Sequence, residues 1–300
     1  MPYLYSVAPA ARLSLEQLRA AHATCLAALK RERGAEATRT LSAEDEEHVF
    51  ALTALDATWD RLRGCKALWE NAPSDVLLIR ELPLLSQQGV LVMDMDMTAV
   101  QIEGIDEIAR RVGVYEEVAA VTSRAMHGEL DFAASLQERV SKLKSAKSAT
   151  AILNAVKEVM TETPGLDSLL TLTYGKWQRG IASGGFTQLI GVLKERYHLE
   201  MVAANTLEIA EDRFTGRVAS AIVDATGKLH AVINLMVDTG TPVSQCVVLG
   251  DGANDLPMLK AAGLGIAYHA KPKVVAEAPC ALNMSDLRAV SLLLKYAPRL

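Results

Sequence analysis

A short apolar strand that ends in two aspartates constrains this chain more than any other segment does. Residues 90–93 are Val, Leu, Val and Met, an uninterrupted apolar run that predicts a buried strand of a parallel sheet. Asp94, Asp96 and Thr98 follow directly, so charge lies at the carboxyl end of the strand, where open α/β sheets build their ligand sites. Two carboxylates this close repel each other unless a cation or a proton lies between them. The pattern indicates an enzyme in which Asp94 is nucleophile and metal ligand and Asp96 is the acid or base.

Length, composition and charge narrow the class of protein further. The chain has 300 residues, of which 50% are hydrophobic and 22% charged, enough for one large α/β domain and a smaller unit. Its formal net charge of −5 argues against nucleic acid as a partner. The four cysteines lack metal-binding spacing, and neither a signal peptide nor a membrane-spanning run is evident. We therefore expect a cytoplasmic enzyme that contacts neither membranes nor nucleic acid.

The first 84 residues are predicted to be a helical region of unknown role. Apolar residues recur at helical spacing over residues 14–31, with Ser14 as N-cap and Gly34 as the stop. A second helix is predicted from Ser42 to Leu62 on the same grounds. The apolar stripes of these two helices motivate the hypothesis of a homodimer formed through them.

Residues 85–300 are predicted to form the main domain. Six strand patterns alternate with helical patterns, which is typical of a doubly wound parallel sheet. They cover residues 90–93, 177–182, 201–204, 243–249, 265–268 and 280–282. The all-helical stretch of about residues 103–165, between the first two strands, is predicted to be a cap inserted over the site, and residues 207–218 a hairpin.

Three of the strands end in polar clusters that are expected to converge, because the carboxyl ends of parallel strands share one edge of a sheet. The clusters are Asp94, Asp96 and Thr98; Ser183 and Gly184; and Asp251, Asn254 and Asp255. Carboxylates from two strands suit Mg²⁺, and a hydroxyl followed by unhindered backbone N–H groups suits a phosphate. Each cluster alone could be a calcium loop, a plain turn or a helix cap, so only the combination indicates phosphoryl chemistry.

Longer runs around these clusters carry a family resemblance. The chain resembles the haloacid-dehalogenase phosphatases, and within them the phosphoserine phosphatase family, over about residues 84–287. The matching runs are residues 92–96, 101–109, 124–132, 181–186 and 250–273. The resemblance implies a Rossmann-like α/β core with a helical cap after the first motif. It also implies hydrolysis of O-phospho-L-serine to L-serine and phosphate through an aspartyl-phosphate, the last step of serine synthesis.

The same resemblance implies roles for the predicted site residues. Asp94 would be the nucleophile and Asp96 the general acid and base. The implied ligands of Mg²⁺ are Asp94, the backbone carbonyl of Asp96, and Asp251, with Thr98 and Asp255 supporting them. The implied phosphoryl contacts are Ser183, Gly184, Asn254 and a lysine.

The lysine is predicted to be Lys228, which follows Asp224 at the spacing that the family pattern expects. A cation there would offset the crowding of phosphate and carboxylates. The alternatives are that Lys228 is a solvated turn residue, or that Lys194 or Lys260 serves instead from an amphipathic helix.

Substrate selection is predicted to lie in the cap. By the resemblance, Glu103 would bind the amino group of phosphoserine and Arg139 its carboxylate, while Met126 and Phe132 would form an apolar wall over the site. A carboxylate for an ammonium group and a guanidinium for a carboxylate are complementary in charge and geometry.

Two positions depart from the family pattern. Met97 stands where a serine is usual, and residues 229–232 replace a more polar run. Two other functions therefore stay open: a phosphatase or phosphotransferase acting on another small ester, which would not need both Glu103 and Arg139, and a catalytically weak scaffold or sensor.

Overall fold

The computed structural model describes residues 1–219 and 221–299 of the chain. Two units can be distinguished within it. The first consists of Met1–Leu91, Pro164–Gln178 and Met236–Leu300, and the second of Val92–Thr163 and Arg179–Leu235. Among the described residues, no helix combines the length and the apolar character that crossing a membrane would require.

The N-terminal part of the first unit contains an antiparallel sheet. Its strands are β1 (Tyr3–Pro9), β2 (Glu36–Glu44), β3 (His48–Asp56) and β4 (Asp75–Ile79), in the order β2-β3-β1-β4. Helix α1 (Leu15–Arg33) confirms the first predicted helix, and a short α2 (Trp59–Leu62) follows β3. Helix α1 begins with a capping box, in which Ser14 Oγ accepts from the Gln17 N–H at 3.2 Å and Gln17 Oε1 accepts from the Ser14 N–H at 2.9 Å. It ends at Gly34, whose φ of 62° closes the helix in the left-handed region.

The prediction of a helical N-terminal region is wrong beyond α1. Residues 48–56 form the strand β3, which pairs with β1 on one side and β2 on the other, and all but its last residue are buried. A strand covered on both faces is apolar throughout, so the helical spacing of its large residues carries no information. Phe50 shows the second covered face, because its ring lies 4.8 Å from the ring of Tyr296.

The apolar stripe of α1 lies in the core of its own unit. Its residues Cys25 and Leu29 belong to a buried cluster with Leu4 and Leu55. The apolar stripe of α1 that suggested a homodimer is therefore buried within the chain itself. The homodimer stays a prediction.

Three polar contacts fix the N-terminal sheet to later segments of the first unit. The Asp75 carboxylate accepts N–H groups from residues 283–285 at 2.8–3.2 Å. The Tyr5 hydroxyl donates to the Ala289 carbonyl at 2.9 Å, and Lys66 Nζ donates to the Val275 carbonyl at 3.0 Å. The predicted domain boundary at residue 84 stays a prediction.

The second sheet has six strands in the order β12-β11-β10-β5-β6-β7, which confirms the predicted α/β class. The strands from β5 onward are β5 (Gly89–Met93), β6 (Trp177–Phe186), β7 (Met201–Asn205), the hairpin β8 (Leu207–Ala210) and β9 (Arg213–Val218), β10 (Cys246–Gly250), β11 (Leu264–Tyr268) and β12 (Cys280–Leu282). The pairs β10–β11, β11–β12 and β6–β7 are parallel, and every residue of β5, β10 and β11 is buried. The hairpin lies where the sequence predicts it.

Four helices fill the predicted cap segment. They are α3 (Gly104–Val112), α4 (Tyr115–Met126), α5 (Phe132–Lys142) and α6 (Ala149–Val159). The remaining helices are α7 (Leu166–Thr173), α8 (Thr187–Tyr197), α9 (Ala225–Thr239), α10 (Leu256–Ala261), α11 (Pro272–Glu277) and α12 (Arg288–Tyr296). The tip of the β8–β9 hairpin supports the cap, since the Asp212 carboxylate accepts from the Thr150 N–H at 2.9 Å in the first turn of α6.

Candidate active site

Asp94 follows the buried strand β5 and is itself only 6% exposed. One of its oxygens, Oδ1, accepts the Met95 N–H at 2.6 Å, and the other, Oδ2, accepts Lys228 Nζ at 2.7 Å. A buried carboxylate is stable as an anion only with such partners. Both oxygens of Asp94 are thus held by hydrogen bonds, which orients the carboxylate as a nucleophile requires.

Lys228 is fully buried and lies in the first turn of α9. It is therefore not a solvated turn residue. Asp224 begins this helix, because its Oδ1 accepts the Gly227 N–H at 2.8 Å and its carbonyl accepts the Lys228 N–H at 2.9 Å. Lys194 is exposed on α8, and Lys260 is exposed and paired with Glu277 at 3.1 Å. Among the three predicted lysines, only Lys228 has the burial and the carboxylate contact expected of a phosphoryl-site cation.

Asp96 lies where its carboxyl group is shielded from water. Its Oδ1 is buried and has no hydrogen-bond partner among the described residues. Burial raises the pKa of Asp96 well above its usual range, and the negative charges of Glu103 and Asp94 raise it further. A raised pKa favours the protonated form of Asp96, which is the form that a general acid needs.

Ser183 and Gly184 lie in a bulge of β6. The register between β6 and β7 shifts between Ala182 and Phe186, so the intervening residues leave the ladder. Ser183 is buried, and its Oγ accepts the Gly185 N–H at 2.9 Å. Its hydroxyl proton is therefore available for an anion, and the contact with a phosphoryl group stays a prediction.

Two glycines that are not among the predicted site residues make room for Asp96. A β-carbon on Gly185 would lie 3.1 Å from both Asp96 Oδ2 and Ser183 Oγ, and one on Gly104 would lie 3.4 Å from Asp96 Oδ1. The Asp96 carboxyl group is thus enclosed between two backbone segments and lies close to Ser183. The double glycine after Ser183 was the available signal for this close approach.

Glu103 and Arg139 are brought into one electrostatic environment with the aspartates. Glu103 is the N-cap residue of α3. Its pKa is raised by desolvation and by Asp106, and lowered by Arg139. Arg139 on α5 is partly buried, which lowers its pKa, while the charges of Glu103, Asp106 and Asp96 raise it. An anionic and a cationic group therefore lie within range of Asp96, an arrangement that suits a zwitterion.

The other predicted cap and loop residues differ in their surroundings. Met126 is 69% exposed at the end of α4, and Phe132 is half-buried at the start of α5, so the apolar wall stays a prediction. Thr98 is fully buried in the loop after β5. Met97, in the same loop, is 43% exposed and has a φ of 56°, a left-handed conformation that costs a methionine about 1 kcal/mol.

The third polar cluster follows β10 in the first unit. Carboxylate oxygens of Asp251 and Asp255 lie within 4.8 Å of each other. Asp255 is fully buried and its Oδ2 accepts the Gly252 N–H at 2.9 Å, while Asn254 is half-buried beside it. A β-carbon on Gly250 would lie 2.5 Å from the Asp255 carboxyl group, so glycine is required there. Two carboxylates at this spacing favour a cation with oxygen ligands.

Comparison with known proteins identifies the family. The sequence profile described as haloacid dehalogenase-like hydrolase matches residues 89–263, more than half of the chain. The chain belongs to the haloacid dehalogenase-like hydrolases. Residues 229–232, which departed from the expected pattern, lie inside the matched range and inside α9.

Relatives within the family are phosphoserine phosphatases. The chain is 47% identical over 224 residues to phosphoserine phosphatase of Vibrio cholerae, covering 74% of this chain and 68% of the relative. A crystal structure described as a probable phosphoserine phosphatase from Vibrio cholerae, unliganded, superposes with a TM-score of 0.74 at 36% identity, covering 99% of this chain and 87% of the other. A substrate-bound phosphoserine phosphatase complex superposes with a TM-score of 0.63 at 33% identity, covering 70% and 98%.

Proposed function

We propose that this hydrolase converts O-phospho-L-serine to L-serine and inorganic phosphate, as the last step of serine synthesis. The observation that supports this reaction is that two carboxyl groups of the site have different surroundings. Asp94 is an anion held by Lys228 at 2.7 Å, and Asp96 is a buried acid with a raised pKa. The substrate follows from the phosphoserine phosphatase relatives and from the placement of Glu103 and Arg139.

The reaction divides into two steps on these residues. A carboxylate oxygen of Asp94 forms a bond to phosphorus while the bond from phosphorus to the serine oxygen breaks, and Asp96 donates its proton to the leaving oxygen. Asp96, now a carboxylate, then takes a proton from the water that attacks the aspartyl-phosphate. Phosphate leaves, and Asp94 and Asp96 return to their starting states. Lys228 and the Ser183 hydroxyl stabilise the charge on the phosphoryl oxygens throughout.

The metal would be Mg²⁺, held by Asp94, the backbone carbonyl of Asp96, and Asp251, with Asp255 and Thr98 supporting these ligands. The donor chemistry supports this choice, because every ligand offered is an oxygen and Asp251 and Asp255 lie close enough to need a cation. When bound, the ion would neutralise phosphoryl charge during transfer. Asn254 would contact the phosphoryl group from the same loop as Asp251.

The two cap residues would select the substrate. Glu103 would accept the ammonium group of phosphoserine, and Arg139 would bind its carboxylate with its planar pair of N–H donors. Among the described residues, the hydrogen bond of the Arg139 guanidinium is the one from Nε to the Ser135 carbonyl at 3.3 Å, so its other N–H groups could serve a ligand.

We place the reaction in the cytoplasm. All four cysteines are buried free thiols, and burial raises the pKa of Cys246 and Cys280 to about 12. Such thiols fit a reducing compartment.

The test is phosphate release with Mg²⁺ from three esters: phosphoserine, phosphoethanolamine, which lacks the carboxylate, and phosphoglycerate, in which a hydroxyl replaces the ammonium group. We expect a strong preference for phosphoserine, lost in chelator and in Asp94→Asn. Arg139→Leu should remove the preference over phosphoethanolamine, and Glu103→Gln the preference over phosphoglycerate. Arg124→Leu, which removes a cap arginine paired with Glu138, is the matched control.

Turnover of another ester but not of phosphoserine would discard the substrate and keep the mechanism. Folded protein that turns over none of them with Mg²⁺ would contradict the whole proposal and favour the scaffold hypothesis.

A further inference from the structure

Asn205 is a fully buried polar residue that has no role in the proposed reaction. It is the last residue of β7 and pairs with Phe186 in the ladder, immediately after the bulge that contains Ser183 and Gly184. Its side-chain amide makes two hydrogen bonds with segments far apart in sequence. Nδ2 donates to the Gly184 carbonyl at 2.8 Å, and Oδ1 accepts the Val223 N–H at 2.9 Å.

Both partners of Asn205 belong to segments that carry groups of the phosphoryl site. The bulge removes the Gly184 carbonyl from the regular ladder, and the side chain of Asn205 supplies its hydrogen bond in place of a backbone N–H. Val223 directly precedes Asp224, whose carboxylate and carbonyl begin the helix that carries Lys228. One amide group therefore joins the Ser183–Gly184 bulge to the start of the Lys228 helix.

We propose that Asn205 is a positioning residue that sets the spacing between the Ser183–Gly184 bulge and Lys228, and so fixes the geometry of the phosphoryl pocket. The inference rests on the proposed function, in which these groups bind the phosphoryl group. Asn205 itself touches neither substrate nor reacting atoms. Its effect passes through the two backbone segments.

Only an amide of this length meets both partners. It presents one donor and one acceptor from a single plane, which matches a carbonyl on one side and an N–H on the other. Aspartate has the same shape but would set a carboxylate oxygen against the Gly184 carbonyl. Alanine would remove the hydrogen-bond partner of the Gly184 carbonyl and that of the Val223 N–H, both of which are half-buried. Either change should let the two segments move apart.

The experiment compares Asn205→Ala and Asn205→Asp with Gln188→Ala in the full chain with Mg²⁺. Gln188 is a matched control because its amide also makes a donor and an acceptor bond to backbone, at 2.8 Å and 3.2 Å to Leu207, in the next turn of the same region. The readouts are the melting temperature, kcat and KM for phosphoserine, and inhibition constants for inorganic phosphate and for L-serine.

If Asn205 is a positioning residue, its substitution should weaken the binding of phosphate much more than the binding of L-serine. The inhibition constant of phosphate should rise about tenfold and kcat/KM should fall at least as much, since displacements of about 1 Å at a reacting group are this costly. The inhibition constant of L-serine should change less than about twofold, because Glu103 and Arg139 are not linked to Asn205. Gln188→Ala should lower the melting temperature without this difference.

Parallel weakening of phosphate and L-serine, or equal kinetic losses in the Asn205 and Gln188 variants, would overturn the proposal. Asn205→Asp keeps the volume of the side chain and serves if the alanine variant does not fold. If the wild type does not hydrolyse phosphoserine, the proposed function fails by itself. Calorimetric titration of phosphate into wild type and Asn205→Asp then still tests the positioning role.

Discussion

His22 is predicted to make the fold sensitive to mild acid. It is buried on α1, between the Ser6 hydroxyl at 2.7 Å from Nδ1 and the Thr53 hydroxyl at 2.7 Å from Nε2. The Thr53 hydroxyl is also hydrogen-bonded to the Thr40 hydroxyl at 2.8 Å. Hydroxyl groups can rotate to accept from a protonated imidazole, so the hydrogen bonds themselves survive protonation. The cost of protonation is desolvation of the charge, which lowers the pKa of His22 to about 4.

The size of this effect follows from the thermodynamic linkage between proton binding and folding. The pKa of His22 falls from an ordinary 6.5 in the unfolded chain to about 4 in the fold. Between these values the unfolded chain binds the extra proton, so the free energy of unfolding decreases as the pH falls. Since one pH unit is worth about 1.36 kcal/mol, His22 alone should remove about 3 kcal/mol of stability between pH 7 and pH 4.

The assay is urea unfolding of wild type and His22→Gln between pH 4 and pH 7.5. Glutamine keeps polar contacts but does not titrate, so the difference between the two curves isolates His22 from all carboxylates. We expect wild type to lose about 3 kcal/mol more than the variant across this range. Parallel curves would refute the reasoning, as would an NMR titration that gives His22 a pKa near 6.5.

Three further outcomes are expected. Lys228→Met should leave Asp94 as an unpaired buried anion, so kcat/KM should fall roughly 100-fold or more and stability by about 3 kcal/mol, while Lys194→Met on the exposed face of α8 changes neither. Gly185→Ala should crowd Asp96 and lower kcat at least about tenfold, whereas Gly191→Ala, with open space around it in α8, should stabilise by up to about 1 kcal/mol in the same urea assay. Asp75→Ala should cost about 3 kcal/mol on urea unfolding, because it removes the acceptor of the N–H groups of residues 283–285, of which that of Ser285 is buried; a loss below about 1 kcal/mol would show that this tether is dispensable.

The sequence predicted those elements whose local signals agree with their tertiary surroundings. Helix α1 has both ends marked by Ser14 and Gly34, and the cap helices are amphipathic with clear breaks between them. The prediction failed for β3 because the strand is buried on both faces. Its apolar residues therefore do not alternate with polar ones, and the two-residue period of a strand could not be recognised. Only the pairing with β1 and β2 distinguishes it from a helix, and such pairing is not local information.

The candidate site was predictable in its residue types and less so in its geometry. Asp94 and Asp96 follow the apolar strand β5, and Ser183 follows the apolar part of β6, so their positions followed from the strand pattern. The bulge around Ser183 and the burial of Lys228 did not, because both depend on neighbours distant in sequence. Helix α9 was missed for a local reason: Gly227 and several β-branched residues give it a weak helix propensity, and its start depends on Asp224. Asn205 had a visible signal, a polar residue at the end of an apolar strand.

The charges around Asp94 explain why the site calls for a cation. If Asp96 is counted as neutral, the charged groups of the second unit that act on Asp96, Glu103 and Arg139 are the anions Asp94, Glu103 and Asp106 and the cations Lys228 and Arg139. Three negative and two positive charges leave one negative charge before any substrate arrives. A phosphate monoester dianion adds two more, while the ammonium and carboxylate of its serine part cancel. Because an excess of anions in a poorly solvated site is costly, the proposed divalent cation would offset charge beside the phosphoryl group that Lys228 alone leaves uncompensated. Substitution of Lys228 and removal of Mg²⁺ should therefore weaken phosphate binding for the same electrostatic reason.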